Sequence, residues 1–144
     1  MIYFDTAYIV KCYVHEPGSL EVRRLLQSHQ TVACCALGRV EFASSILRAV
    51  REGRLDERVI PTVFTILHED EQSGVWTWLA LSAALLDDTF RTLCRLAPAV
   101  PVRAGDAIHL ACAREHGFRE IHTNDRHLLA AAPHFGMNAV NVIP

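Results

Sequence analysis

The sequence predicts an α/β protein with a central, mostly parallel sheet and helices on both of its faces. Two observations carry this. Short runs of β-type apolar residues alternate along the chain with longer stretches whose apolar positions recur at helical spacing, the pattern of strands joined by helical crossovers. The 144 residues, 51% hydrophobic and 21% charged, suffice for one core and exclude disorder as the overall state. No repeat, low-complexity tract or linker divides the chain, so a single domain over 1–144 is expected.

The elements follow in order. Ile2-Tyr3-Phe4 is a short β-type run, and Asp5-Thr6 offers capping chemistry to a helix from Ala7 to Val14. Pro17-Gly18-Ser19 breaks the chain before Leu20, Val22, Leu25 and Leu26 recur at helical spacing, and Thr31 to Ala36 is a second strand. From Leu37 a stripe of Val40, Ala43, Leu47 and Val50 predicts a helix that stops at Gly53. Val59 to Leu67 is a further helix with Pro61 in its first turn. Val75 to Leu79 is the third strand, followed by a helix from Ser82 to Leu96 that ends before Pro98. Ala104 to His116 forms a helix closed by Gly117. Ile121 to Thr123, Asp125 to Ala132 and Ala139 to Ile143 complete the pattern as strand, helix and strand.

Several classes of protein are excluded or disfavoured by composition. Val75 to Leu86, the longest nearly apolar run, falls short of the ~20 residues a membrane span needs. Met1 to Val10 carries Asp5 and no basic residue, unlike a secretory signal, so a cytoplasmic protein is expected. Five cysteines, an odd number without a C-x-x-C pair, read as reduced and buried. Fourteen basic against sixteen acidic side chains give a net charge of -2, which attracts no polyanion by its bulk field. A nucleic-acid partner would therefore depend on local arginines or a bound cation.

In a parallel sheet the strands end, and the following helices begin, on one edge, where ligands bind. Four acids fall there from separate parts of the chain: Asp5, Glu41, Asp106 and Asp125. Capping and the helix macrodipole account for acids at helix starts without any ligand. They account poorly for Glu41, which lies at the border of an apolar stripe. Crowded carboxylates without a counter-charge drive one another toward protonation, and a hard divalent cation such as Mg²⁺ or Mn²⁺ resolves the conflict. Phosphodiester cleavage by metal-activated water is the natural use of such an edge.

Four blocks make the sequence recognisable. Asp5-Thr6-Ala7-Tyr8-Ile9-Val10-Lys11 with Tyr13 and Glu16-Pro17-Gly18, then Val40-Glu41-Phe42-Ala43, then Gly105-Asp106-Ala107-Ile108-His109-Leu110-Ala111, and Thr123-Asn124-Asp125 resemble, in this order, the PIN-domain ribonucleases. The resemblance is in particular to the VapC toxins of type II toxin–antitoxin systems. It implies a three-layer α/β/α sandwich, a Mg²⁺-dependent endoribonuclease acting on RNA, a homodimer, and a cognate VapB-like antitoxin. Carried over by position, Asp5, Glu41, Asp106 and Asp125 match the family's acidic quartet. Asp5 and Asp106 are the main metal ligands by this resemblance, Glu41 and Asp125 bind directly or through water, and Thr6, Thr123 and Asn124 are supporting groups.

Other residues admit more than one role. Lys11, the one lysine, is either a solvated charge or a phosphate contact, and Arg39, Arg103 and Arg126 stand close in sequence to the acids. Eight histidines show no zinc spacing, and His109 reads as a structural hydrogen-bonding group. Glu69-Asp70-Glu71 and Asp87-Asp88 read as solvated charges, and Trp76 and Trp78 as packed residues on opposite sides of their strand. The alternatives to a ribonuclease are a metal-dependent DNA nuclease or phosphatase, a PIN-like interaction module without catalysis, and a signalling receiver domain. The last lacks an acceptor Asp after the third strand.

Overall fold

The structure is a computed structural model and describes residues 1–144. Three strands, β1 (Ile2–Tyr3), β2 (Val32–Cys35) and β3 (Trp76–Leu79), pair in parallel in that order, and β4 (Glu120–His122) pairs in parallel with β5 (Asn138–Val140). A parallel bridge from Phe4 to His122 and a 3.1 Å bond from the Asp5 N–H to the His122 carbonyl join the two sets. The strands therefore run β3-β2-β1-β4-β5. The chain moves outward from β1 in one direction through β2 and β3, then crosses to the other side of β1 for β4. That reversal is a topological switch point, and it opens a crevice at the carboxyl ends of β1 and β4.

Seven helices cover the sheet: α1 (Thr6–Tyr13), α2 (Ser19–Gln27), α3 (Leu37–Arg51), α4 (Ile60–Gln72), α5 (Ala83–Leu93), α6 (Ala104–Glu115) and α7 (Arg126–Ala131). Strand residues alternate between two cores, as the pleat demands. Tyr3, Ala33, Cys35 and Ile121 pack with Leu85, Leu110 and Leu128 from α5, α6 and α7. Phe4, Val32, Cys34 and Trp76 pack with Ile9, Val22, Phe42, Ile46 and Val63 from α1 to α4. The result is the expected α/β/α sandwich.

Helix α3 turns a different face inward from the one its stripe predicts. Gly38, Phe42, Ile46 and Ala49 are buried, whereas Val40 is 67% and Leu47 45% exposed. Val40 and Phe42 lie about 200° apart around a helix, so only one of them can face the core. The aromatic ring buries more apolar area and wins.

Smaller departures have local causes. The last strand is β5, Asn138–Val140, rather than 139–143. Beyond it Tyr8 captures the chain, its hydroxyl donating to the Asn141 Oδ1 and accepting from the Val142 N–H, both at 3.0 Å. Ser82 caps α5 through its Oγ, which accepts the Leu85 N–H. Helix α4 runs on to Gln72 and carries the acid run into its last turn. There Asp70 accepts the Tyr13 hydroxyl at 2.5 Å, and Glu71 accepts the Trp78 indole N–H at 2.8 Å and the Arg39 guanidinium at 2.9 Å. Those two acids are packing partners rather than solvated charges. Trp76 and Trp78 share a face, as residues two apart on a strand must, and stack with ring centroids 6.4 Å apart. All five cysteines are free, with Cys34, Cys35 and Cys112 buried and Cys94 exposed.

Candidate active site

A cleft of about 570 Å³ lies over the switch point, and Asp5, Glu41, Asp106 and Asp125 all line it. Asp5 leaves the end of β1, Glu41 sits in the second turn of α3, Asp106 in the first turn of α6, and Asp125 caps α7. Residues 120 positions apart in sequence thus meet at one edge of the sheet.

Asp5 and Glu41 form the inner half of the site. Asp5 is 4% exposed; its Oδ1 accepts the Tyr8 N–H at 2.9 Å as the cap of α1, and its Oδ2 accepts the Thr123 hydroxyl at 2.5 Å. Glu41 Oε2 accepts the Thr6 hydroxyl at 2.5 Å and His109 Nε2 at 2.8 Å. Behind them, Tyr3 Oη accepts the Cys35 N–H at 3.0 Å and shares a hydrogen bond with His109 Nδ1 at 2.9 Å. The network aims His109 Nε2 at Glu41 and holds the ring from behind through Nδ1. His109 is buried and acts as the structural hydrogen-bonding group its position predicts. Gly105 permits the approach of Glu41 to α6, because a Cβ at that position would meet Glu41 Oε1 at 2.8 Å.

Asp106 and Asp125 form the outer half, and Arg103 holds both. Its Nε donates to Asp106 Oδ2 at 3.0 Å and its second nitrogen pairs with Asp125 Oδ2. Asp125 also caps α7 by accepting the His127 N–H at 2.7 Å, while its own N–H donates to Thr123 Oγ1 at 2.9 Å. Thr123 therefore connects the two halves. Asn124 is exposed and outside the cleft, and of the two neighbours only Asp125 lines it.

The charges show what each half lacks. Burial pushes the Asp5 carboxyl up to about 6, against the opposing effect of the Thr123 and Tyr8 bonds. Burial also raises Glu41, but the His109 bond and charge outweigh it, together with Thr6 and Arg103, and leave the carboxyl below its ordinary value. For Asp125 burial is outweighed by the His127 N–H and the Arg103 guanidinium. Burial works against the His109 imidazolium, while the Cys34 sulfur at 4.0 Å and the Glu41 carboxylate favour it, and its pKa is raised. Only Asp5 lacks a compensating cation, and a buried carboxylate in that position calls for one.

The donor set fits a hard divalent cation: carboxylate and hydroxyl oxygens around a buried, under-compensated acid. As arranged here, no three His, Cys, Asp or Glu side chains converge as an ion-binding group. Thr6 and His109 occupy Glu41, and the Arg103 guanidinium occupies Asp106 and Asp125.

Three of the basic residues near the acids in sequence lie outside the cleft. Lys11 is buried, and its Nζ donates to Glu16 Oε1 at 2.6 Å and to the Pro17 carbonyl at 3.1 Å, so it is neither solvated nor free for phosphate. Arg39 pairs with Glu71. Arg126 is exposed. Sequence reasoning missed Tyr3, Ser44, Ser45, Arg48 and Arg54, the last four of which line the cleft. Glu41, Ser44, Ser45 and Arg48 stand at i, i+3, i+4 and i+7, a polar helix stripe that was legible once Glu41 was assigned to the site.

The PIN domain family model matches residues 2–133 of this α/β/α sandwich; the chain belongs to this family. Ribonuclease VapC46 of Mycobacterium tuberculosis is 30% identical over 141 residues, 96% of this chain and 95% of that protein. Two solved structures share the fold. Mycobacterium tuberculosis VapC20, described as a Sarcin-Ricin loop cleaving toxin, superposes with a TM-score of 0.71 at 19% identity, covering 91% of this chain and 95% of its own. FitAcB from Neisseria gonorrhoeae gives 0.66 at 17% identity, covering 99% and 98%.

Proposed function

We propose that residues 1–144 form a single PIN domain that acts as a metal-dependent endoribonuclease, the toxin of a VapBC-type toxin–antitoxin pair working in the cytoplasm. The observation that carries this reading is the convergence of Asp5, Glu41, Asp106 and Asp125 from four segments on one cleft, with Asp5 buried and short of a cation. The kinship with Ribonuclease VapC46 supports RNA as the substrate and a VapB-like antitoxin as the partner. No helix is long and apolar enough to cross a membrane. A homodimer, built through the apolar helices between Arg54 and Leu96, belongs to the same reading.

Asp5 and Asp106 would hold Mg²⁺, or Mn²⁺ in its place, with Glu41 and Asp125 completing the set directly or through water. Bound there, such an ion supplies Lewis acidity and a water of lowered pKa. The chain's own residues do the positioning. Thr123 and the Tyr8 N–H fix Asp5, Thr6 and His109 fix Glu41, and Thr123 also braces the Asp125 backbone. Arg103 now pairs with Asp106 and Asp125, and were an ion to be held by those carboxylates its guanidinium would be free to meet a phosphate.

Calorimetric titration of the purified protein with Mg²⁺, followed by assay on total RNA, tests this. Wild type binds and cleaves. Asp5→Asn and Asp106→Asn stay folded and lose more than the ~10–100-fold that removal of a mere outer-shell partner costs a metal site. Undiminished cleavage in both variants overturns the assignment. A folded wild type that neither binds nor cleaves turns the reading into a PIN-like interaction module.

A further inference from the structure

We infer that the stripe Ser44, Ser45 and Arg48 on α3, with Arg54 from the same cleft, is the track that grips the backbone phosphates of a single-stranded RNA running away from the acidic edge. The inference rests on the nuclease reading above and names where its substrate lies.

The cleft is lined by more than the acids: Ser44, Ser45 and Arg48, on the same face of α3 as Glu41, and Arg54 also line it. Glu41 and Arg48 are seven residues apart, about 10 Å along the helix axis. That spans about three nucleotides of a stacked strand at ~3.4 Å each. Arg48 takes part in none of the protein's ion pairs. Ser44 is exposed and Ser45 half-buried, and both hydroxyls line the cleft, where they are available to donate to a phosphate.

The remaining acid in this part of the cleft is already neutralised. Glu16 bonds Lys11 Nζ at 2.6 Å and lies 3.8 Å from Arg54. Arg54 also pairs with exposed Glu52, leaving Lys11, Arg48 and Arg54 against Glu16 and Glu52, an excess of one positive charge where the net charge of the chain is -2. Cations in the last turn of a helix complement its macrodipole. That role needs a charge anywhere on the turn, and Arg51 also supplies one. It does not require Arg48 on the cleft wall in line with two hydroxyls and a catalytic acid.

The lining also decides which part of the strand is held. The apolar residues of the cleft are Ala7, Val10, Val40 and Leu128, with no aromatic ring on which a base could stack. Affinity must then come from phosphates, through a guanidinium fork and hydroxyl donors, with a steep dependence on salt.

The test is fluorescence anisotropy of a labelled oligouridylate decamer in Mg²⁺ at several salt concentrations. An Asp106→Asn background prevents cutting, and thermal melts confirm that each variant is folded. Each phosphate contact contributes about 0.7 to the slope of log K against log salt for a single strand. Arg48→Ala lowers the slope by about 0.7, Arg48→Ala with Arg54→Ala by about 1.4, and Arg48→Lys leaves it near the background value. Arg91→Ala, on α5 outside the cleft, changes nothing. An unchanged slope in the double variant, with the background protein still binding RNA, overturns the track and leaves the nuclease reading standing. If the background protein does not bind and wild type does not cleave total RNA, both fall.

Discussion

The inner and outer halves of the acidic site hold their carboxylates in opposite ways. Asp5 and Glu41 are fixed by short-range groups that belong to the two cores: a backbone N–H, two threonine hydroxyls and a histidine braced by a buried tyrosine. Asp106 and Asp125 are fixed by one arginine whose side chain is 61% exposed. Groups locked by packing hold an oxygen in place whether or not a ligand is present, which is the preorganisation a reacting site needs. An exposed ion pair contributes little and exchanges readily. The comparison teaches that half of this site is built by folding and half is held in reserve by a replaceable cation.

His109 is where that distinction can be broken most severely. His109→Ala takes one partner each from the Tyr3 hydroxyl, which keeps the Cys35 N–H, and from Glu41, which keeps Thr6, and leaves a cavity in place of the buried ring. A stability loss of ~2–4 kcal/mol is expected from the lost hydrogen bonds and the lost volume. Denaturant unfolding measures it, and a loss below ~1 kcal/mol would show that the inner half does not depend on the core.

The pH dependence of stability sharpens the comparison next. Asp5 titrates near 6 in the folded protein and near the ordinary 3.8 unfolded, so between these values the folded state binds more protons. Its contribution is greatest below about 3.8 and declines as pH rises through about 6, by about 3 kcal/mol at most. Glu41 and Asp125 are shifted the other way, and their contributions are lost as pH falls toward and below their ordinary values. In metal-free buffer the difference in stability between Asp5→Asn and wild type should therefore grow in favour of the variant from pH 4 to pH 7. A difference independent of pH would mean that Asp5 is already compensated.

Gly105→Ala tests the geometry without touching a charge. The added Cβ forces Glu41 Oε1 away from a 2.8 Å approach and disturbs its bonds to Thr6 and His109. Cleavage should fall ~10–100-fold, the range for disturbing the support of a metal ligand. Chemical denaturation should show a smaller change, since Gly105 lies in the first turn of α6 and only partly buried.

Arg103→Ala should have the mildest effect on the fold, within ~1 kcal/mol, because its pairs are screened by solvent. The same change frees Asp106 and Asp125 of their resident cation. Mg²⁺ should then bind up to ~5-fold more tightly by calorimetry, the equivalent of that ~1 kcal/mol. Weaker binding would make Arg103 a support of the ligands rather than their competitor.

Alternation of short β-type runs with helical periodicity was enough to determine the α/β class, the number of strands and the parallel sheet, because strand and helix periods are properties of the local chain. Turn and capping chemistry likewise marked the places of Asp5, Asp106 and Asp125, Glu41 was marked by its border with an apolar stripe, and all four line one cleft. What the sequence left undecided depends on neighbours brought from far along the chain. The inward face of α3 was settled by competition between Phe42 and Val40 for one core. The burial of Lys11 depended on Glu16 folding back across a turn, and the roles of Asp70 and Glu71 on Tyr13, Trp78 and Arg39 arriving from other elements. Tyr3, the post behind His109, reads in sequence only as a strand aromatic, because nothing local shows that its hydroxyl meets a residue 106 positions away. Periodicity and capping are short-range and were therefore readable, while burial, charge compensation and the line of the cleft are set by three-dimensional packing, and only the folded chain decided them.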